Sequence, residues 1–206
     1  MSGERRTQKA ATRQRVIDAA RSLFDQHGYA ETTVRAIAEG AGVSVGSVFT
    51  TFASKGEILR HVMAERLDGL YAELDRVAPH LRGSLRDRLG ALFSIHFAFE
   101  LQRPRLFLAH LASTFDWAPE PSANAGAVGR NPRLRQILLD CLTEAMGRGE
   151  VRPDADLDAA VETLIAAYVW CYRLAARGQT SAGALSAELD RFVAIIAGGL
   201  EVRSDR

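Results

Sequence analysis

The sequence has little of what would tie it to a membrane or to secretion. Its 206 residues include only two cysteines and six prolines, and its formal net charge is +1. Cys141 and Cys171 lie outside any CxxC or CxxH pattern, which favours structural thiols in a reducing compartment. No apolar run is long enough and free enough of charge to span a bilayer. The N-terminal segment lacks the apolar core of a signal peptide, so we expect a cytoplasmic protein.

Enzymatic motifs are also missing from the sequence. It contains no HExxH, GxSxG, Walker A or Rossmann glycine pattern, and we therefore predict no enzymatic activity. His96 and Glu100 are four residues apart and can share one face of a helix. Because a metal site needs a matched second pair, a hydrogen-bonded pair is the favoured interpretation. We predict neither a metal nor a cofactor.

Apolar residues are plentiful, at 47% of the chain, and they follow helical rather than alternating spacing. The pattern predicts an all-α fold. Ser54 and Glu57, three residues apart, form a capping box for a long helix that starts near Lys55. Ser84 caps a helix that is apolar nearly all round, which predicts a central, buried position. Residues 116–132 are rich in Pro, Gly, Ser and Asn, which is typical of a loop.

Two short helices joined by a glycine-containing turn form a helix-turn-helix pattern. Thr32 or Thr33 can cap the first helix, Gly42 closes it, and Ser44 can cap the second. Residues 44–52 read SVGSVFTTF, without the Arg, Lys, Asn or Gln side chains that best recognise base edges. If this helix enters DNA, it does so with small, hydroxyl and apolar side chains.

Positive charge is concentrated towards the N-terminus. Residues 1–60 carry nine Lys and Arg against six acidic residues, a net charge of +3, which leaves −2 for residues 61–206. A basic arm of this kind often follows DNA phosphates, although a solvated tail explains the same composition. The arm residues concerned are Arg5, Arg6, Lys9 and Arg13.

Residues 16–63 resemble the DNA-binding region of the TetR family of bacterial repressors. The matching positions, in chain order, are Ala20, Phe24, Gly28, Tyr29, Thr33, Ile37, Ala38, Ala41, Gly42, Val43, Gly46, Phe52, Ser54, Lys55 and Leu59. The rest of the chain is similar to the family in architecture only. The resemblance implies about nine helices, with the first three binding DNA and the last two dimerising. We place the boundary near residue 60, which gives a DNA-binding domain at 1–60 and an effector-binding and dimerisation domain at 61–206.

The resemblance also implies DNA contacts outside the recognition helix. Thr33 and Arg35 fall where the family's second helix touches the backbone and sometimes a base. Lys55 falls at the start of the fourth helix, where the ammonium and the backbone amides can meet a phosphate. We predict that Arg35 contributes to base preference and that the flanking basic residues supply much of the affinity.

Within the recognition helix, the implied contacts involve small and apolar side chains. The positions are Ser44, Val45, Gly46, Ser47, Phe49, Thr50 and Thr51. Val45 and the Thr50 methyl group can contact a thymine methyl group, while hydroxyl groups can bind bases or phosphates. The family usually has Tyr at Phe49 and often His at Thr51, so a phosphate contact is lost unless Thr50 or Thr51 makes it.

Aromatic and histidine residues in the second half of the chain suggest a small-molecule pocket. The candidates are Phe93, His96, Phe97, Glu100, Phe107, His110, Leu111, Phe115, Trp117, Tyr168, Trp170, Cys171 and Tyr172. Aromatic residues at helical spacing are usually core, and we expect most of these to be core. Polar groups among apolar ones nevertheless favour a cavity for an apolar, ring-containing or acyl effector, oriented by His96, Glu100 or His110. In the family such a ligand releases the operator.

The last two helical patterns predict a dimer interface. The candidate residues are Leu164, Tyr168, Leu185, Leu189, Phe192, Val193, Ile196 and Leu200. Such helices can bury apolar surface against a second copy in a four-helix arrangement, or can form the core of one subunit. We predict a homodimeric repressor that an effector releases from a palindromic double-stranded DNA operator. The alternative is a C-terminal domain that binds a protein partner or only dimerises.

Overall fold

The computed structural model describes residues 2–114, 132–176 and 181–201, without the side chains of residues 2–5, 112–114 and 175–176. In this part of the chain there are nine α-helices, which confirms the predicted all-α fold. They are α1 (Ser2–His27), α2 (Val34–Gly40), α3 (Val45–Thr51), α4 (Lys55–Val77), α5 (Leu85–Glu100), α6 (Pro104–Thr114), α7 (Pro132–Gly147), α8 (Leu157–Ala176) and α9 (Ala182–Leu200). A short 3-10 helix, Ala78–His80, follows α4 directly.

The chain packs as two compact units. The first comprises the residues up to Asp68 together with Arg103–Ser113, and the second comprises Gly69–Gln102 and the described residues after Ser113. The division falls inside α4, the helix in which the sequence places the domain boundary. The first unit also includes most of α6, which the sequence-based division at residue 60 assigns to the second domain. The assignment of separate functions to residues 1–60 and 61–206 stays a prediction.

The short helices of the first unit are defined by their caps and by a shared core. Thr33 Oγ1 accepts a hydrogen bond from the Ala36 amide at 3.1 Å and so begins α2. After α2, Gly42 adopts a φ of +63° and the Val43 amide reaches back to the Ala38 carbonyl at 3.0 Å, as in a Schellman motif. The buried residues beneath these helices are Val16, Ile17, Ala20, Phe24, Ile37, Ala38, Val48, Phe52, Ile58, Leu59, Val62 and Met63.

Helix α5 is the central helix of the second unit and packs against α7 and α9. Ser84 caps it as predicted, because its Oγ accepts from the Asp87 amide at 3.3 Å while the Asp87 carboxylate accepts from the Ser84 amide at 2.9 Å. The Glu150 carboxylate accepts from the Leu85 amide at 2.6 Å. Three of the buried residues of α5 are polar: Arg88, His96 and Glu100. The others are Leu85, Leu89, Leu92, Phe93 and Phe97.

A second Schellman motif ends α7 and fixes the position of Glu150. Gly149 has a φ of +74°, and the Glu150 amide donates to the Ala145 carbonyl at 2.9 Å. Helices α8 and α9 then pack against each other. The Arg152 amide donates to the Leu200 carbonyl at 2.9 Å, which attaches the end of α9 to the segment between α7 and α8.

Candidate nucleic-acid interface and buried polar cluster

Helix α3 is anchored on one side and exposed on the other. Val48 and Phe52 are each 1% exposed and hold it against the first unit. Val45 is 38% exposed and Phe49, one turn later, is 54% exposed, so the two form an apolar strip open to solvent. Sequence reasoning counted Phe49 among the DNA-contacting positions of this helix, and the structure places its ring on the exposed face. An apolar strip at this position can contact thymine methyl groups or sugars.

The hydroxyl groups of α3 are already hydrogen-bonded within the helix. Ser44 Oγ accepts from the Ser47 amide at 3.1 Å and lies 2.8 Å from Ser47 Oγ. Thr50 and Thr51 donate to the carbonyls of Gly46 and Ser47, at 2.6 and 3.0 Å. A hydroxyl group has one proton, so neither threonine donates to a phosphate in this rotamer. A phosphate contact by Thr51 requires its side chain to leave the Ser47 carbonyl.

The Lys55 ammonium hydrogen-bonds to backbone carbonyls of the first unit. Its Nζ donates to the carbonyls of Tyr29, Thr32 and Ala30 at 2.8, 2.9 and 3.3 Å, and lies 4.3 Å from the centroid of the Tyr29 ring. Because an ammonium has three protons, all of its donors serve these carbonyls. Contrary to the prediction, the ammonium is therefore not available to a phosphate in this arrangement. It holds the segment between α1 and α2, and at the start of α4 the Glu57 amide is bound by Ser54 Oγ.

Three of the predicted basic side chains are exposed to solvent and unpaired in the described part of the chain. Arg6 and Lys9 on α1 and Arg35 on α2 are exposed, and no residue in the described part of the chain pairs with any of them. The side chain of Arg5 lies outside the described residues. Since α1 begins at Ser2, the basic arm forms the first turns of a helix.

Arg13 has a partner within the first unit. Its Nη2 lies 2.6 Å from Nε2 of His61, and its guanidinium lies 5.3 Å from the centroid of the Phe52 ring. Burial, followed by the nearby positive charge of Arg13, lowers the pKa of His61. A neutral imidazole at this place accepts a hydrogen bond from the guanidinium. Arg13 therefore joins α1 to α4, and a phosphate would have to compete with His61 for it.

In the second unit, four side chains form what we call the buried tyrosine–histidine cluster: His96, Glu100, Tyr168 and Tyr172. The Tyr168 hydroxyl donates to Glu100 Oε2 at 2.7 Å, lies 2.8 Å from His96 Nδ1, and accepts from the Tyr172 hydroxyl at 3.1 Å. His96 Nδ1 also lies 3.2 Å from Glu100 Oε1. Phe93 and Phe97 stack on the Tyr168 ring with centroids 5.4 Å away. Burial, and then the negative charge of Glu100, raises the pKa of Tyr168 well above its usual value.

The cluster fixes which nitrogen of His96 carries a proton. Tyr168 gives its only proton to Glu100, so it can interact with His96 only as an acceptor, and Nδ1 must be the donor. When the ring is neutral, Nε2 is the acceptor. It is buried, and no atom in the described part of the chain hydrogen-bonds to it. Such an unsatisfied group costs about 1–3 kcal/mol, which a hydroxyl or amide donor from a ligand would recover.

Comparison with known proteins agrees with the geometry of the first unit. Residues 16–62, which contain α2 and α3, match the model of bacterial regulatory proteins of the TetR family. This part of the chain is therefore a DNA-binding region of the TetR family. Over 202 residues, 97% of this chain and 96% of the relative, the chain is 28% identical to the HTH-type transcriptional repressor KstR2 of Mycolicibacterium smegmatis. The TetR family consists of transcriptional regulators rather than enzymes.

Solved structures of other TetR-family proteins have the same fold. The Thermus thermophilus repressor FadR, in complex with lauroyl-CoA, is 26% identical and has a TM-score of 0.76, with 94% of this chain and 97% of FadR covered. RolR, in complex with resorcinol, is 20% identical with a TM-score of 0.67, over 96% of this chain and 91% of RolR. At 20% identity, the similarity to RolR shows the shared fold and nothing more.

The structure brings together only part of the TetR-type ligand site that the sequence predicts. The residues found in the second unit are Phe93, His96, Phe97, Glu100, Tyr168, Trp170, Cys171 and Tyr172. Phe107, His110 and Leu111 belong to the first unit, and Phe115 and Trp117 lie outside the described residues. Burial, followed by the positive charge of Arg60, lowers the pKa of His110 to about 4.

Most of the predicted dimerisation stripe is buried within one protomer. The fully packed members are Leu164, Tyr168, Leu185, Leu189, Val193 and Leu200, whereas Phe192 and Ile196 are half-buried. Because these buried side chains already contact their own subunit, they are not available to a second copy as the structure stands. Among the described residues of α8 and α9, the large apolar side chains that are exposed are Trp170, at 53%, and Ile195, at 74%. Trp170 was predicted to bind ligand, and Ile195 was not predicted.

Neither a metal site nor a membrane segment is visible in the part of the chain that the structure describes. Within those residues no group of three or more His, Cys, Asp or Glu side chains could hold a metal ion. The same residues include no helix that is both long and apolar enough to cross a membrane.

Proposed function

We propose that this TetR-family protein is a homodimeric transcriptional repressor that binds a palindromic operator through α2 and α3. The observation that carries the proposal is α3 itself: a capped helix whose exposed face is small and apolar, within a matched family region. Two-fold symmetry would place the two recognition helices about 34–36 Å apart or somewhat more, in successive major grooves. Such a protein works in the cytoplasm, where its DNA is.

Base recognition and affinity would be carried by different residues. Val45 and Phe49 contact thymine methyl groups from the exposed strip of α3, and Arg35 contacts a base edge from α2. Arg6 and Lys9 contribute phosphate contacts, which makes the affinity dependent on salt. Support comes from exposure, because these side chains are open to solvent while Arg13 and Lys55 are bonded within the first unit.

We further propose that a small, largely apolar effector binds beside the buried tyrosine–histidine cluster and releases the operator. The unsatisfied Nε2 of His96 supports this, because a buried acceptor among stacked aromatic rings favours a ligand that donates one hydrogen bond. The lauroyl-CoA bound by the related FadR supports an acyl effector. For release, the effector must bind the DNA-free conformation more tightly than the DNA-bound one.

A dimer would form through the exposed apolar surfaces of α8 and α9. Trp170 and Ile195 support this, since large exposed apolar side chains on the last two helices are suited to a partner surface. The same exposure also fits the alternative, in which the C-terminal region binds a protein partner or only dimerises and no effector exists. Operator release by a small molecule distinguishes the two.

The DNA-binding proposal is tested by selecting a binding site from random duplexes and measuring its affinity by fluorescence anisotropy. We expect a two-fold symmetric site. Arg35→Ala should weaken binding about tenfold and relax the preference at one base pair of each half-site, since a bidentate Arg–base contact contributes about 1–3 kcal/mol. Arg76→Ala, at an exposed arginine of α4 in the second unit, is the control and should change neither property. Unchanged affinity and base preference in Arg35→Ala would contradict the assignment.

The effector proposal is tested on the same protein–operator complex. Lauroyl-CoA is the first probe and coenzyme A without the acyl chain its matched control, followed by aromatic and sterol-like compounds. We expect an apolar compound to lower operator affinity, and His96→Phe to weaken its effect without changing DNA binding in its absence. If no compound class shifts operator affinity, the alternative without an effector replaces this part of the proposal.

A further inference from the structure

The contact between Arg13 and His61 connects α1 with α4 at the end of the recognition helix. Nη2 of Arg13 lies 2.6 Å from Nε2 of His61 and 3.1 Å from its Nδ1. Both side chains also contact the ring of Phe52, the residue that follows α3, with the guanidinium 5.3 Å and the imidazole centroid 5.5 Å from its centroid. Arg13 is therefore held where α3 ends and α4 begins.

This contact occupies an arginine that is otherwise suited to a phosphate. Arg13 lies one turn after the exposed Lys9, on the same side of α1. In the described part of the chain its partners are His61 and the ring of Phe52, and no carboxylate forms an ion pair with it. The guanidinium charge is therefore not neutralised, and His61 fixes only where its donors point.

The contact requires a neutral imidazole. A neutral ring has one acceptor nitrogen, and the shorter distance assigns it to Nε2 of His61, with the proton on Nδ1. An imidazolium has no acceptor, because both of its nitrogens carry protons, and its positive charge would face the guanidinium of Arg13. The two side chains must therefore separate when His61 is protonated.

Charged groups on α1 and α4 surround His61. In decreasing order of their effect on its titration, they are Arg13, Glu57, Arg60 and Glu65. Burial lowers the pKa of His61 most, the two arginines lower it further, and the two carboxylates raise it. Because Arg13 has the largest effect of the four, its movement to a phosphate would raise the pKa of His61. Glu57 Oε1, 3.9 Å from Nε2, can then pair with the imidazolium.

We propose that His61 is a positioning residue for DNA binding, which holds Arg13 on α4 when it is neutral and releases it to an operator phosphate when it is protonated. In the free protein Arg13 favours the neutral ring. In the complex Arg13 has moved away and a phosphate is near, so the complex holds the proton more tightly and operator affinity rises as the pH falls. The inference rests on the proposed operator binding by α2 and α3.

Operator affinity, measured by fluorescence anisotropy at about pH 7.5 and about pH 5.5, tests the proposal. We expect the dimer to bind about tenfold more tightly at the lower pH, or about threefold for each protomer, as for one exposed ion pair gained in each half-site. The salt dependence should steepen by about 0.9 per protomer. The imidazole resonance of His61, identified by its loss in His61→Gln, should titrate at a higher pH in the complex than in the free protein.

Matched variants separate this mechanism from a general effect of charge, with circular dichroism showing that each is folded at both pH values. His61→Gln keeps an acceptor for Arg13 but does not titrate, and Arg13→Gln removes the cation that is released, so both should lose most of the pH dependence. Lys9→Gln should weaken binding about equally at both pH values. His27→Gln, at an exposed histidine at the end of α1, should retain the full pH dependence.

The inference is overturned if affinity and salt dependence are equal at the two pH values, or if His61 titrates at the same pH with and without DNA. It is also overturned if the pH dependence survives in His61→Gln or in Arg13→Gln; survival in the second alone would mean that the imidazolium itself attracts DNA. Failure to bind an operator at either pH would contradict the proposed function as well, whereas equal binding at both contradicts this inference alone.

Discussion

Replacing Lys55 by methionine separates a structural role of this residue from a role in DNA binding. Methionine preserves most of the length of the side chain and removes its three donors. The carbonyls of Tyr29, Thr32 and Ala30 then lose their partner, together with the cation–π contact to the Tyr29 ring at 4.3 Å. If the ammonium holds the segment between α1 and α2, the free energy of unfolding must fall, while phosphate contacts must not change.

The expected loss of stability is about 2 kcal/mol. A hydrogen bond to a charged group contributes about 1.5–3 kcal/mol when buried, and two of the three bonds here are part-buried, so water can replace only some of the lost interaction. Urea unfolding measures this as a lower midpoint with an unchanged slope. Operator affinity of the folded variant, plotted against salt concentration on logarithmic axes, should retain the wild-type slope.

Lys9→Met is the matched control, because Lys9 is exposed on α1 and has no partner among the described residues. This variant should unfold at the wild-type midpoint. Its salt dependence should weaken by about 0.9 per protomer, or about 1.8 for a dimer, as expected for one lost phosphate contact in each half-site. A Lys55→Met variant with full stability and a reduced salt slope would show that the ammonium binds phosphate and that the reasoning from its three carbonyls is wrong.

Three further predictions concern single side chains. Phe49→Ala should leave the unfolding free energy within about 0.5 kcal/mol of wild type, because the ring is exposed, and should weaken operator binding about fivefold in an anisotropy titration; unchanged binding would remove Phe49 from the interface. Ile195→Glu should shift the protein towards monomer in analytical ultracentrifugation, whereas Thr143→Glu, on the exposed face of α7, should not; an equal effect of both variants would argue against α9 as the interface. Burial lowers the pKa of His110 to about 4, below its usual value near 6.5. As the pH falls, the unfolded chain therefore takes up a proton at His110 before the folded protein does. The free energy of unfolding that is present above pH 6.5 is lost as the pH falls towards 4. The loss should be roughly 3 kcal/mol and should largely disappear in His110→Gln; equal pH profiles of the two proteins by urea unfolding would refute it.

Local sequence signals were sufficient to predict the helices and most of their N-terminal caps. The predicted capping residues Thr33, Ser44 and Ser84 all accept the hydrogen bonds expected of them. Only half of the predicted Ser54–Glu57 capping box is present: Ser54 Oγ accepts from the Glu57 amide at 3.1 Å, but Glu57 accepts from the Ala53 amide, at 2.6 Å, instead of the Ser54 amide. These features depend on residues three or four apart, so a single sequence contains the information that they need.

The use of the long polar side chains could not be predicted in the same way. Lys55 meets carbonyls 23 to 26 positions earlier in the chain, and Arg88 meets Glu150, 62 positions later. Residues so far apart along the chain leave no periodic pattern in the sequence. Arg88 offered only the hint of a charged residue on the apolar face of α5, one turn before Leu92. An exposed Lys at the start of a helix and a buried one look alike in sequence, and the structure separates them.

The stripe of α9 shows a second limit of periodicity. Regular spacing of Leu185, Leu189 and Val193 identifies a face that is buried, and this is confirmed. It does not say whether the covering surface belongs to the same chain, because intramolecular and intermolecular packing need the same apolar spacing. The residue that answers the question is one that interrupts the polar side of the helix, such as Ile195. Exposed apolar residues are therefore better candidates for a partner surface than the stripe is.

The composition of α3 has a consequence for how specificity and affinity are divided. A helix without charged side chains, with Thr50 and Thr51 donating to its own backbone, contributes little to phosphate neutralisation. Salt dependence must then come from side chains outside it, and among the predicted basic residues whose side chains the structure describes, Arg6, Lys9 and Arg35 are exposed and unpaired. Substitutions on α3 should therefore change which sequences are bound while preserving the salt slope, whereas substitutions on α1 should change the slope at every sequence alike. A regulator built in this way can acquire a new operator by changes on one short helix without losing its general attraction to DNA.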